Sequence, residues 1–163
     1  MNILFENKYY SNDEMLAEYI NKVILKDFKI KGIVVLLGGV FLLFMSLMQN
    51  DKIWTGVAVA SLFIVVMVLI FTPSMTLKQL KESDKKIHRA KRPQTKVQFG
   101  DKIYLSEGTF SLTIEYDQII KQYDLNHSYA LMFGKKNGIL VEPGSFVRGN
   151  FEDFKEFIKD KTK

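Results

Sequence analysis

The feature that most constrains this chain is a pair of apolar runs, Gly32–Met48 and Ile53–Phe71, which are separated by Gln49-Asn50-Asp51-Lys52. Neither run contains Asp, Glu, Lys, Arg or His. At about 1.5 Å of rise per residue, each run is just long enough as a helix to cross a hydrocarbon layer about 30 Å thick. A chain of 163 residues could hardly enclose two helices that are apolar on every face. The sequence therefore predicts an antiparallel transmembrane hairpin over residues 32–71, with its turn at 49–52.

Basic residues gather at the two outer ends of this hairpin and are scarce at its turn, within a net charge of +5. The turn carries Lys52 beside Asp51. Cytoplasmic loops are enriched in Lys and Arg, so the bias predicts a multi-pass protein of the cell membrane with both termini in the cytoplasm. The basic residues are Lys22, Lys26, Lys29 and Lys31 before the first run, and Lys78, Lys81, Lys85, Lys86, Arg89, Lys91 and Arg92 after the second.

Several kinds of chemistry lack the residues that they need. The chain has no cysteine, and its two histidines, His88 and His127, lie far apart without acidic partners at ligand spacing. Spans without ionisable side chains offer no proton relay or path for a charged substrate. No Gly-rich phosphate loop or Gly-x-Ser-x-Gly elbow is present. We therefore expect a protein that is not an enzyme and has no cofactor and no metal. The oligomeric state stays open.

Residues 1–31 form an N-terminal arm with two kinds of local signal. Weak alternation over Met1–Tyr10 suggests a short strand, and Ser11 with Glu14 has the spacing of a capping box. Beyond it, apolar residues at helical spacing predict an amphipathic helix over about Asn12–Lys29. That helix lies either in the lipid headgroup region or against the C-terminal domain. The mixed signs on its polar face favour the second alternative.

Residues 72–94 form a basic connector. Thr72-Pro73 is expected to close or kink the second span, and Ser74–Lys91 is expected to continue as a charged helix. A cluster within it is a candidate contact for anionic lipid headgroups, although setting the topology is the simpler role for these residues. No aromatic side chains interleave with them, so nucleic-acid binding is not expected. The cluster is Lys85, Lys86, Arg89, Lys91 and Arg92.

In residues 95–163, apolar residues recur at every second position, a pattern that is typical of half-buried strands. The clearest alternation runs from Phe110 to Tyr116, and Asn137-Gly138 suggests a tight hairpin turn. Asn150 is a good N-cap for a final helix with an apolar face of Phe151, Phe154, Phe157 and Ile158. The sequence predicts about five strands in meander order, forming a small bent sheet or open barrel that this helix caps.

Taken together, the chain resembles the YcxB-like family of small bacterial membrane proteins over nearly its whole length. The resemblance implies a pleckstrin-homology-like (PH-like) domain, in which a strongly bent sheet is closed by a C-terminal helix, and it brings no catalytic residues. The residues that carry it are Phe5-Glu6-Asn7, Glu14–Tyr19, the hairpin, Val97-Gln98-Phe99-Gly100-Asp101, Ile114-Glu115-Tyr116-Asp117-Gln118-Ile119, Tyr129-Ala130-Leu131, Ile139-Leu140-Val141-Glu142-Pro143, Ser145-Phe146 and Phe151–Ile158.

The expected fold is therefore a membrane α+β protein with a transmembrane hairpin and a PH-like cytosolic domain. The expected function is non-enzymatic. An edge strand, or the groove beside the final helix, would bind a protein partner or the membrane surface. The alternative is a self-immunity protein against a membrane-directed toxin or bacteriocin, a role that suits small basic proteins with two spans. A toxin gene beside the coding sequence would favour this alternative.

Overall fold

The helices and strands of the chain belong to two units. The computed structural model describes residues 2–88, 93–135 and 137–162, with the side chains of all of these except 83–88. The hairpin unit is Ile20–Leu80, and the sheet unit combines Met1–Tyr19 with Lys81–Lys163. Thus the start of the N-terminal arm and the C-terminal strands belong to one unit, although the hairpin separates them in sequence.

Two long helices form the hairpin unit, α2 (Lys26–Met48) and α3 (Lys52–His88), the latter reaching beyond the unit. Asn50 turns the chain between them with a φ of 55°, in the left-handed region that Asn tolerates well. The Asp51 carboxylate then accepts hydrogen bonds from the backbone N–H groups of Ile53 and Trp54, at 3.0 and 3.1 Å, and so caps α3. The chain thus turns within the residues at which the sequence predicts a turn, and Lys52 already belongs to α3.

Pro73 lies inside α3 and does not end it. The proline ring removes one backbone donor, which normally weakens a helix. The hydroxyl groups of Thr72 and Thr76 donate to the carbonyl oxygens four residues earlier, at 2.6 and 2.9 Å, and add side-chain bonds to this part of the helix. Of the two alternatives for Thr72-Pro73, an end of the helix is therefore excluded, and the predicted continuation as a charged helix is confirmed as far as His88. At 37 residues, α3 is about 55 Å long.

The N-terminal arm contains β1 (Phe5–Tyr9), α1 (Asp13–Tyr19) and a π-helical turn (Ile20–Ile24). In that turn the N–H of Leu25 donates to the carbonyl of Ile20, five residues earlier, at 2.8 Å. The single helix predicted over Asn12–Lys29 is therefore interrupted. The π-helical turn leaves Met15, Tyr19 and Val23 on one buried stripe, so the spacing of the apolar residues did not reveal the interruption.

The sheet unit contains two antiparallel sheets rather than the single meander of about five strands that the sequence predicts. Besides β1, the strands are β2 (Thr95–Phe99), β3 (Ile103–Glu107), β4 (Phe110–Ile114), β5 (Lys121–Asp124), β6 (Tyr129–Met132), β7 (Gly138–Val141) and β8 (Phe146–Arg148), followed by α4 (Phe151–Lys161). The larger sheet has the order β4-β3-β2-β1-β8 and the smaller the order β5-β6-β7. The prediction missed that β1 pairs with both β2 and β8, and so joins the C-terminal strands.

Gly138 lies in a strand and not in a tight turn, contrary to the prediction from Asn137-Gly138. It pairs with Met132, and residues 133–137 connect β6 to β7. A Cβ at Gly138 would lie 2.6 Å from Met132 Sδ and 2.8 Å from the Tyr19 hydroxyl oxygen. This glycine is therefore needed for the close approach of neighbouring side chains.

Candidate functional site

The two long helices contact each other along a stripe with heptad spacing. The less exposed positions recur at alternating intervals of three and four residues, as in an antiparallel coiled coil. They are Gly32, Leu36, Gly39, Leu43 and Ser46 on α2, and Thr55, Ala58, Leu62, Val65 and Leu69 on α3.

Every seventh residue of this stripe on α2 is small, and each faces a residue of α3. A Cβ at Gly32 would collide with Leu69 Cδ2, and a Cβ at Gly39 would lie 2.6 Å from Leu62 Cδ2. At the turn end, the Ser46 and Thr55 hydroxyl oxygens are 3.1 Å apart. Small residues therefore bring the two backbones together, as in helix pairs within membranes.

Small residues at comparable depths in the two apolar runs predict where the helices pack closely, and the sequence identifies only part of the contact. The candidates are Gly38, Gly39, Gly56, Ala58, Ala60 and Ser61. Of these, Gly39 and Ala58 lie on the stripe, whereas Gly38 and Gly56 have open space where a Cβ would be. Gly32 and Ser46 were missed, although their seven-residue spacing from Gly39 was visible.

An aromatic cluster forms the core of the sheet unit, and α4 supplies its centre. The Phe154 ring is fully buried, with its centroid 4.6 Å from that of Phe99 and 5.2 Å from that of Phe146. Phe5 adds a third contact at 5.8 Å. The Asn150 side chain accepts a hydrogen bond from the N–H of Asp153, which confirms the predicted N-cap. The apolar face of α4 is thus committed to the core.

β1 ties the two sheets together through buried polar side chains. The Asn7 side chain donates to the carbonyl of Glu142 at 2.8 Å and accepts from its N–H at 3.1 Å. These two hydrogen bonds lie next to the register shift between β1 and β8. They resemble the backbone hydrogen bonds that two regularly paired strands would form. The Tyr9 hydroxyl donates to the carbonyl of Leu140 on β7 at 3.0 Å.

Helix α1 contacts the smaller sheet and its first turn. The Glu18 carboxylate accepts hydrogen bonds from the N–H groups of Asn126 and His127, at 2.8 and 2.9 Å. The Tyr19 hydroxyl lies 3.5 Å from Met132 Sδ. The predicted docking of the arm on the C-terminal strands is therefore confirmed for α1.

The buried tyrosines act as neutral hydrogen-bond donors. Burial raises the pKa of Tyr19 to about 12 and that of Tyr116 to about 12. The Tyr116 hydroxyl donates to the carbonyl of Gly100 at 2.9 Å. Burial also raises the pKa of Tyr9. Phenols that stay protonated at physiological pH hold the fold together and are poor candidates for a general base.

Strand β4 is the edge of the larger sheet that lacks charged residues. It reads Phe110-Ser111-Leu112-Thr113-Ile114, whereas β8 has three residues and includes Arg148. Phe110 is half exposed and follows a two-residue turn in which Gly108 has a φ of 58°. Natural edges are usually protected by charge, proline or short length. Of the two edges of the larger sheet, β4 is therefore the better suited to accept another strand.

The basic residues proposed for lipid contact, Lys85, Lys86, Arg89, Lys91 and Arg92, lie outside the residues whose side chains the structure describes, and the lipid contact stays a prediction. Within the described residues, no group of three or more His, Cys, Asp or Glu side chains is arranged to hold a metal ion. Comparisons with models of known protein families, with curated proteins and with solved structures found no match to this chain.

Proposed function

We propose that this chain is an integral protein of the cell membrane, in which the hairpin unit crosses the bilayer and the sheet unit is a PH-like interaction module. The observation that carries the proposal is the apolar exterior of the hairpin. Both helices are long and apolar enough to span a membrane, yet only 6% of the most apolar window of α2 and 0% of that of α3 are buried. A helix from the core of a soluble protein would be mostly buried. A bilayer is the environment in which such a surface is stable.

The charges at the hairpin ends support an orientation with both termini in the cytoplasm. Lys26, Lys29 and Lys31 lie in the first turns of α2, while at the connecting turn Lys52 follows Asp51 in the sequence, so the two charges offset each other. The sheet unit would then lie on the cytoplasmic side.

Carbonate extraction and reporter fusions test these two statements separately. We expect the full-length protein to stay with the membrane pellet at alkaline pH. A cytoplasm-only reporter should be active when it is fused after residue 163, and an exterior-only reporter should be active at residue 50. Release by carbonate would disprove insertion, whereas an active exterior reporter at 163 would disprove only the orientation.

The exposed edge of β4 supports the proposal that a protein partner binds by adding a strand to the larger sheet. Its alternate side chains are Ser111 and Thr113 on one face and Leu112 on the other, and its outer backbone groups have no neighbouring strand in the sheet order. Main-chain hydrogen bonds would give such a partner its affinity, and pockets for alternate side chains its specificity.

Site-specific photocrosslinking in native membranes tests the β4 edge. A photoreactive residue at Thr113 should give a discrete crosslinked product, because a docked strand would lie beside it. The matched control is Lys121, an exposed position on β5 at the edge of the smaller sheet. Equal products at both positions, or none at Thr113, would contradict strand addition at β4.

A further inference from the structure

A groove of about 320 Å³ runs between α2 and α3 on one side of their contact stripe, near the turn. It exists because small residues of the stripe leave space that larger neighbours enclose. Leu42, Trp54 and Val57 are exposed and stand beside the small Ser46 and Ala58. The lining residues are Gly39, Leu42, Ser46, Gln49, Trp54, Val57, Ala58 and Ser61.

The length of the groove corresponds to one leaflet of a bilayer. From Gly39 to Gln49 the α2 side of the groove rises about 15 Å, half of the hydrocarbon thickness of about 30 Å. The groove therefore begins at the turn and ends near the middle of the hairpin.

Its chemistry also changes along this length. Gln49 and Trp54 lie at the turn end, where an amide and an indole suit the membrane interface. Deeper in the groove, the Ser61 hydroxyl donates to the carbonyl of Val57 at 2.8 Å. This hydroxyl is satisfied within its own helix, so the deeper wall presents an apolar surface. Nearer the turn, the Ser46 hydroxyl donates to the carbonyl of Leu43 at 2.9 Å.

We propose that this groove binds one acyl chain of a lipid from the leaflet on the turn side, with the polar part of that lipid beside Gln49 and Trp54. The proposal rests on the proposed insertion of the hairpin in a membrane. A second copy of the hairpin fits less well. A helix of the second copy, about 10 Å wide with its side chains, would contact the hairpin over the full thickness of the bilayer. The groove extends over only half of that thickness.

Two substitutions on α3 distinguish the groove from the rest of the helix surface. Ser61→Phe places a ring in the groove, and because Ser61 is exposed beside the stripe, the α2–α3 contact is preserved. Val59→Phe is the matched control, since Val59 is 52% exposed and absent from the groove lining. The full-length protein is purified in a mild detergent from native membranes, and native mass spectrometry counts the lipids retained per chain.

We expect the wild-type protein and Val59→Phe to retain one lipid per chain. Ser61→Phe should lower the retained fraction about tenfold or more, because the ring displaces several methylene groups of the bound chain. Equal retention by Ser61→Phe, or no retained lipid in the wild-type protein, would overturn the site. Dissociation of a lipid-free dimer by Ser61→Phe would also overturn it, because the occupant would then be a second copy.

Carbonate extraction of the same three proteins separates this proposal from the one on which it rests. If all three stay in the membrane pellet and the wild-type protein retains no lipid, only the lipid site fails. If the wild-type protein is released by carbonate, membrane insertion fails and the lipid site fails with it.

Discussion

The hairpin unit and the sheet unit are packed by opposite rules. The hairpin places small residues between leucine and valine side chains at its contact and leaves large rings such as Phe41 and Phe63 on its exterior. The sheet unit buries large rings such as Phe99 and Phe154. In water, burying apolar surface is the main driving force, so large side chains belong inside. In hydrocarbon that force is lost, and close approach of backbones takes its place. The difference between the two units agrees with the proposed insertion of the hairpin in a membrane.

The largest expected effect comes from removing a ring from the sheet core. Phe154→Ala should destabilise the sheet unit by about 3–5 kcal/mol, because a fully buried ring leaves a cavity among other rings. Pulse proteolysis of the full-length protein in detergent measures the change. Phe110→Ala removes a half-exposed ring and should cost far less. Equal costs would show that burial does not distinguish these positions.

In the hairpin, a larger side chain at the helix contact should lower the stability, whereas in the sheet unit a smaller side chain in the core should lower it. Gly39→Leu would drive a side chain against Leu62 and should cost about 1–3 kcal/mol by overpacking. Gly38→Leu meets open space and should be tolerated. Because the chain has no cysteine, Ser46→Cys with Thr55→Cys provides a reporter of helix contact. Disulfide formation should slow with Gly39→Leu and not with Gly38→Leu; the same rate in both would refute the contact stripe.

A smaller effect tests whether α1 belongs energetically to the sheet unit. Glu18→Ala removes the acceptor for two N–H groups of the β5–β6 turn and should cost about 1–2 kcal/mol. Glu14→Ala, at an exposed position of the same helix, is the control. Proteolysis within the turn should increase only for the Glu18 variant. Identical cleavage of both variants would mean that α1 contributes little to the unit.

The smallest effect is a pH dependence that belongs to the sheet unit. Hydrogen bonds from Lys8 and Gln98 and the charge of Lys96 hold the pKa of Glu6 below its ordinary value of 4.5. A lowered pKa in the folded state gives stability that is present above pH 4.5 and is lost as the pH falls through the folded value.

Glu6→Gln should therefore destabilise the protein by less than about 1 kcal/mol at pH 7, with a smaller difference from the wild-type protein at pH 4. Denaturant midpoints at the two pH values measure this. Glu156→Gln, at an exposed position on α4, controls for the substitution itself. A difference that grows on acidification would contradict the direction of the pKa change.

The features that could be predicted from the sequence are those that depend on residues close together along the chain. The two long helices follow from runs without a charge, and α4 follows from Asn150 and its phenylalanines. The position of β1 between β2 and β8 was not predictable, because pairing across the whole hairpin leaves no local signal. The prediction from Gly138 failed for a related reason, since one of the two side chains that approach this glycine most closely comes from Tyr19 on the arm.

The position of β1 also sets an order of events during biosynthesis. β1 leaves the ribosome before the hairpin, but its partners β2 and β8 are translated only after both long helices. At about 5–20 residues per second, this strand waits for several seconds with both edges unpaired. Closure of the larger sheet therefore follows the synthesis of both long helices. If the hairpin inserts as proposed, a chain whose insertion stalls would expose β1 to chaperones, proteases and other nascent chains.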